Sequence, residues 1–194
     1  MEPPAFDTHL ERIGEHVVVI PLRSFHTAKS RLRVAGAVQV SMIAELLATG
    51  VVRNCVPLPV VVVCEHDDVQ RFALANGARV LRSPHAGLNE AVSFAYEQLQ
   101  PYCDRVTIVH GDLRQPEGLG QFQPGRIISI ITDRDGTGTN VLSLPTGLEF
   151  RFHYGPHSAL RHAEEAARLD VEFETITDSP WGFDVDVPAD LSTN

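Results

Sequence analysis

Cysteine is scarce in this chain and odd in number: Cys55, Cys64 and Cys103. With no C-x-x-C spacing, they argue against a disulfide framework and against a thiolate zinc site, and they fit reduced, buried thiols. Long apolar runs are also missing. The most hydrophobic stretch, VPLPVVVVC at 56–64, is far too short to cross a bilayer. The first sixteen residues, MEPPAFDTHLERIGEH, are charged throughout and lack the apolar centre of a signal peptide. They read as an extension (1–16) ahead of a single domain (17–194), and a cytoplasmic location is expected. Basic residues are outnumbered: 16 Lys and Arg against 25 Asp and Glu leave a formal net charge of −9. Nucleic-acid binding relies on counterion release by a basic surface, so neither a nucleic acid nor a membrane is expected as a partner. Any anionic ligand must be held by a local reversal of sign. No G-x-x-x-x-G-K-[ST] occurs, which removes the P-loop as a phosphate cradle.

What is present is regular. HVVVIPL (16–22), LPVVVVC (58–64), ARVLR (78–82), RVTIVH (105–110) and RIISIIT (126–132) are apolar and β-branched on both faces, as strands covered on both sides must be. Between them, segments 34–50, 67–77 and 88–100 carry apolar residues at three- and four-residue spacing, and Gly50 and Gly77 stand where helix C-caps are expected. Alternation of this kind implies an α/β fold, a three-layer sandwich with a mostly parallel central sheet. In the last third, TNVLSLP and LEFRFHYG suggest less regular strands, 158–170 an amphipathic helix, and VEFETI with GFDVDV the final strands.

In open sheets of this type, ligands bind beyond the carboxyl ends of the parallel strands. The basic, hydroxyl-rich RSFHTAKSRL (23–32) follows the first strand, HGDLRQP (110–116) the fourth, and DRDGTGTN (133–140) the fifth, with FDVD at 183–186 near the end. Each has a plain alternative: a solvated basic face, a capping Asp112, a simple turn, and surface carboxylates. GTGTN lacks the third glycine of the dinucleotide fingerprint and leads into an apolar strand. Asp184 and Asp186 share one face of an extended run, and two anions side by side repel unless a cation lies between them. Cations, a loop carboxylate, a Gly/Thr loop and a carboxylate pair are together the parts of a site that holds phosphates through divalent metal. His153 and His157 are separated by Gly155 and Pro156 and cannot share a helix face as zinc ligands. Trp181 is expected to pack the last strand.

Taken in order from Val17 to Leu191, VIPLRSFHTAKSRL, GLNEAV, HGDL, DRDGTGTNVL, YGPHSALRH and FDVDVPADL resemble the 2-phospho-L-lactate and phosphoenolpyruvate guanylyltransferases of coenzyme F-420 biosynthesis. The resemblance implies a nucleotide-diphospho-sugar-transferase-like (MobA-like) fold, related to molybdopterin-guanylyl and sugar-phosphate nucleotidyltransferases. It implies magnesium, two ions, on Asp112, Asp184 and Asp186, with Lys29 and Asp112 catalytic. Thr139, Gly155 and Ser158 would bind the acceptor, a phosphorylated three-carbon acid, while Arg23, Lys29, Gly87 and Asn89 would bind GTP. A homodimer is compatible with it. The chain departs from the family pattern at Arg23, where Lys is usual, and at Arg114, where Pro is common, with a short Gly-rich QPEGLGQFQPG after it.

The chemistry follows from charge. In guanylyl transfer the attacking phosphate oxygen is already anionic, so no general base is needed and the obstacle is repulsion between two polyanions. Cations must sit between the substrates. A metal-dependent glycosyltransferase or other nucleotidyltransferase using the D-x-D pair, and an inactive nucleotide-binding relative, are the alternatives. The guanylyltransferase reading expects the Asp184 and Asp186 carboxylates to point toward Asp112 and Lys29, with Val185 turned into the core.

Overall fold

A computed structural model describes residues 12–26, 37–125 and 127–185. All five apolar runs become strands: β1 (His16–Pro21), β2 (Val60–Cys64), β3 (Arg79–Arg82), β4 (Arg105–Val109) and β5 (Ile128–Thr132). β6 (Thr139–Pro145) and β7 (Phe173–Ile176) complete a seven-stranded sheet in the order β3-β2-β1-β4-β6-β5-β7. Every pairing is parallel except those of β6, which runs antiparallel to both β4 and β5.

Alternation along the strands divides the interior. Val17, Val19, Val61 and Val63 face α3 (Leu88–Leu99) and α4 (Ser158–Arg168), whereas Val18, Ile20, Val60 and Val62 face α1 (Ala37–Asn54) and α2 (Asp67–Ala75). The three layers expected from the pattern are therefore present, because each central strand must bury both faces. The three cysteines are free and buried. Burial pushes the Cys55 thiol up to about 12 and Cys103 to about 11, so both stay protonated at neutral pH. Among the described residues no helix is long and apolar enough to cross a membrane.

Three expectations need correction. Gly50 does not end α1, which runs on to Asn54. LEFRFHYG is extended but joins no sheet. Its alternating Phe150, Phe152 and Tyr154 are buried against the α3–α4 layer, and its backbone N–H groups donate to side chains: Arg151 to Glu165 Oε1 (2.9 Å), His153 to His162 Nε2 (2.9 Å) and Tyr154 to Asn89 Oδ1 (2.7 Å). A period of two was real, but helix side chains replace the neighbouring strand. Among its described residues, GFDVDV makes one isolated bridge, Leu113 to Asp184, in place of a strand.

On the α1–α2 face, the β4–β6–β5 region is closed by the Gly-rich segment and a polar network. Arg105 donates to Gly125 O (2.7 Å), Ile127 O (3.1 Å) and Ser143 Oγ (3.0 Å), and Thr107 donates to Ser143 Oγ (2.7 Å). The Thr107 oxygen is then left to accept from His16 Nε2–H at 2.6 Å. Gly120 sits so close to the end of α1 that a Cβ there would lie 2.0 Å from Val56 O. Trp181 packs on this segment as well as beside the β5–β6 core, with Nε1 donating to Glu117 O at 3.0 Å and its ring edge-on to Phe122 at 5.1 Å.

Burial, reinforced by the Arg105 cation, lowers the His16 pKa to about 4. The unfolded chain, with His near 6.5, binds more protons in the interval between the two values. Stability from this group is thus complete above about pH 6.5 and is lost as pH falls toward about 4. Urea midpoints measured across that interval should fall with pH, and less steeply in His16→Gln, which keeps a donor for Thr107 without titrating. Equal slopes for the two proteins would refute the assignment.

Candidate active site

The chain leaves β1 for β2 on one side and later returns to place β4 on the other. Between β1 and β4 the connections diverge, and a crevice opens beyond their carboxyl ends. A cavity of about 260 Å³ lies there, lined by Leu22, Arg23 and Phe25 after β1 and by His110, Gly111 and Asp112 after β4. Gly111 lets the two exits approach: a Cβ on it would meet Leu22 Cδ2 at 2.3 Å. The β1 exit is anchored through Asp68 of α2, a residue not singled out by sequence reasoning. Its Oδ2 accepts from Ser24 Oγ (2.9 Å) and from the Phe25 N–H (3.0 Å). Burial opposes the charge on Asp68, but the hydrogen bonds from Ser24 and from backbone N–H groups, Val69 and Phe25 among them, outweigh it and hold the pKa below the usual range.

Asp112 and Asp184 are far apart in sequence and adjacent in space. Leu113 opposes Asp184, the Val185 N–H donates to Asp112 O at 3.1 Å, and the Arg114 N–H donates to Phe183 O at 2.7 Å. Directly opposed Cα atoms in such a bridge lie about 4.5–5.5 Å apart, so the two carboxylate-bearing residues stand one step out of register on touching backbones. Both are half-buried, and Val185 is 1% exposed against Val40 and Leu47, as expected. Lys29 and Asp186 lie outside the described residues.

Among the described residues no group of three His, Cys, Asp or Glu side chains is close enough to hold a metal by itself. A pair of carboxylates is nonetheless the donor set that suits magnesium, which commonly takes one or two of them and completes its octahedron with water and substrate phosphate. Carboxylate oxygens suit such a hard ion better than they suit zinc, which favours cysteine and histidine ligands.

A second group of expected residues assembles around the start of α4. Thr139 begins β6, and its Oγ1 is 3.1 Å from His162 Nδ1. Gly155 has φ +125°, a conformation that residues with a Cβ rarely adopt, and its carbonyl accepts from the Ser158 N–H at 3.2 Å. Ser158 opens α4 and is buried, and the next N–H, of Ala159, donates to Thr137 O at 3.1 Å. The GTGTN and YGPHS segments are thus tied to each other as well as to the helix.

Gly87, at φ +113°, caps α3, whose first residue Leu88 lines the crevice. The Asn89 side chain is engaged with protein: Oδ1 accepts from the Tyr154 N–H and Nδ2 donates to Tyr154 O at 3.0 Å. It clasps the YGP loop onto α3.

His110 joins the two halves. It lines the crevice, its N–H donates to Asn140 O at 3.0 Å, and its ring lies 5.4 Å from that of Tyr154. Its Nε2 and the Tyr154 hydroxyl are buried without a partner among the described residues. Burial also raises the Tyr154 pKa far above the ordinary range, so the phenol stays neutral. Buried polar atoms of this kind call for a bridging water or a ligand atom.

Residues 16–193 match the family described as Guanylyl transferase CofC like. The chain belongs to that family. It is 30% identical over 190 residues to the phosphoenolpyruvate guanylyltransferase of Sphaerobacter thermophilus, covering 90% of each chain. Identity to the 3-phospho-D-glycerate guanylyltransferase of Phenylobacterium zucineum is 30%, over 66% of this chain and 63% of that one. With the 2-phospho-L-lactate guanylyltransferase of Methanocaldococcus jannaschii it is 24%, over 90% and 80%. A nucleotidyl transferase from Methanothermobacter thermautotroptrophicus shares the fold, with TM-score 0.61 at 13% identity over 91% of this chain and 94% of that one. The expected nucleotidyltransferase fold is therefore present, and the chain is a nucleotidyltransferase of the guanylyl-transferring kind.

Gly155 offers a local test of the loop at α4. A Cβ there would meet no atom within 4 Å, so Gly155→Ala creates strain without a clash. At φ +125° that strain is about 1–3 kcal/mol. The variant should melt lower or shift its loop, and should weaken acceptor use while GTP use is unchanged. Equal loss toward both substrates would remove the loop from the acceptor side.

Proposed function

We propose that this chain transfers GMP from GTP to the phosphate of a small phosphorylated carboxylic acid, phosphoenolpyruvate or 2-phospho-L-lactate, in coenzyme F-420 biosynthesis in the cytoplasm. An oxygen of the acceptor phosphate attacks the α-phosphorus of GTP, the bond from that phosphorus to the α–β bridging oxygen breaks, and pyrophosphate leaves. The observation that carries the reading is the backbone bridge that sets Asp112 beside Asp184 at the mouth of the β1–β4 crevice.

Asp112 and Asp184, with Asp186 as the third carboxylate, would hold magnesium, which would supply the positive charge that offsets repulsion between two anionic substrates. The other roles belong to the chain. Arg23, exposed on the crevice wall, faces the triphosphate, with Lys29 as its companion. Arg keeps the charge of the usual Lys but spreads it over a planar fork of donors. The hydroxyls of Thr139 and Ser158 suit the acid's phosphate and carboxylate, since they donate hydrogen bonds without adding anions. The half-buried His110 and Leu88 on the crevice wall, with the buried Tyr154 ring behind His110, limit access of water that would compete as nucleophile.

Names of relatives cover phosphoenolpyruvate, 2-phospho-L-lactate and 3-phospho-D-glycerate guanylyltransferases, so all three acids belong in one assay of pyrophosphate release from GTP. At least one should support release that depends on magnesium. Asp112→Asn and Asp184→Asn should each lower it by about a hundredfold or more. Silence with every acceptor, or undiminished turnover in Asp184→Asn, would defeat the proposal.

A further inference from the structure

Behind Thr139 lies a histidine to which neither the family motif nor the proposed chemistry gives a role. His162 is fully buried in α4, wedged edge-on against the Tyr154 ring at 4.9 Å and beside the Phe150 ring at 5.9 Å. Both ring nitrogens have partners. Nε2 lies 2.9 Å from the backbone nitrogen of His153, and Nδ1 lies 3.1 Å from Thr139 Oγ1.

The first contact fixes the second. A backbone N–H can only donate, so Nε2 must accept and carries no proton. In a neutral imidazole the proton is then on Nδ1, and Nδ1–H donates to Thr139 Oγ1. Thr139 thereby accepts, and its own hydroxyl proton is turned away from His162. No other acceptor among the described residues takes it. The opposite tautomer would reverse the pattern: Thr139 would donate back to the ring and present lone pairs outward.

That difference has a sign. The acceptor acid carries a phosphate and a carboxylate, which attract a hydroxyl proton and are repelled by hydroxyl lone pairs. We propose that His162 is a positioning residue that sets the Thr139 hydroxyl as a donor toward an anionic group of the acceptor acid. The inference rests on the reading of Thr139 as an acceptor-binding residue.

The ring must remain neutral for this to work. Burial, followed by the nearby His153, His110 and Arg161, lowers the His162 pKa to about 3, with Glu165 acting weakly the other way. Protonation would place a second proton on Nε2, against the His153 N–H, and would break the arm's contact with α4 at that point. Neutrality, tautomer and loop position are therefore one condition.

Nitrogen-15 NMR of the histidines in the substrate-free protein tests the tautomer directly. His162 should show a protonated Nδ1 and a bare Nε2, unchanged from about pH 5 to about pH 8. An Nε2–H tautomer, or titration in that range, overturns the proposal whether or not any acceptor is turned over. Kinetics test the role. His162→Asn keeps an amide donor near Nδ1, whereas His162→Gln keeps a polar atom only near Nε2. The Gln variant should raise the KM for the acceptor about tenfold or more, leave the KM for GTP unchanged, and add nothing in a Thr139→Val background. The Asn variant should be the milder of the two. Equal damage from both, or losses that add to that of Thr139→Val, would mean that His162 only fills space. If both variants fail to fold, the wild-type spectrum still decides.

Discussion

The pairing of β1 with β4 is the constraint from which the site follows. β2 and β3 extend the sheet on one side of β1, and everything after α3 is laid on the other. The connections therefore diverge where β1 and β4 end, and loops supply polar groups there, Arg23 from one and Asp112 from the other. Gly111 allows those loops to come together, and the Leu113–Asp184 bridge brings the end of the described chain back to the same point. Backbone carrying Asp112, from the middle of the chain, and backbone carrying Asp184, near the end of the described residues, meet because the sheet order leaves an opening for both.

An acidic protein that handles acidic substrates must concentrate positive potential in a small volume. Arg23 contributes on the crevice wall, and the N-terminal end of α4 contributes through the helix dipole. Neutral donors do the rest. Tyr154, His162 and Ser158 are buried without charge, and burial itself keeps the first two neutral. A wall of this kind orients an anion without holding its product too tightly, which fits an enzyme that must release a diphosphate-linked product.

The central sheet was legible because its strands are buried on both faces, and continuous Val and Ile runs such as VVVVC have few other uses. The site was legible where a residue type declares itself at a strand end, as Asp112 does after RVTIV. Legibility failed where the partner, not the pattern, decides the outcome. LEFRFHYG alternates like a strand, yet its N–H groups go to Glu165, His162 and Asn89, which no local pattern reveals. Gly50 resembled a cap, but α1 continues because the residues after it, Val51 and Val52, bury against β1 and β2, which outweighs the cost of an interior glycine of about 1 kcal/mol. Asp68, a first-turn residue of an ordinary amphipathic helix, gave no signal, since its value lies in reaching Ser24 across the fold.

The aromatic arm explains why acceptor residues from three separate segments can act as one surface. Phe150, Phe152 and Tyr154 anchor it in the core, so its backbone cannot shift without exposing three rings. Burying each such ring contributes about 1.5–3 kcal/mol, more than one net hydrogen bond of about 1 kcal/mol. The rings thus set the position, and the weaker polar contacts set the details: Asn89 holds Tyr154, His153 fixes the His162 tautomer, and His162 orients Thr139. Gly155 then turns the chain into α4 at the point where Ser158 and Thr139 converge. Stability is spent on placing a few neutral donors in advance, so that little reorganisation is left for the moment when the anion arrives.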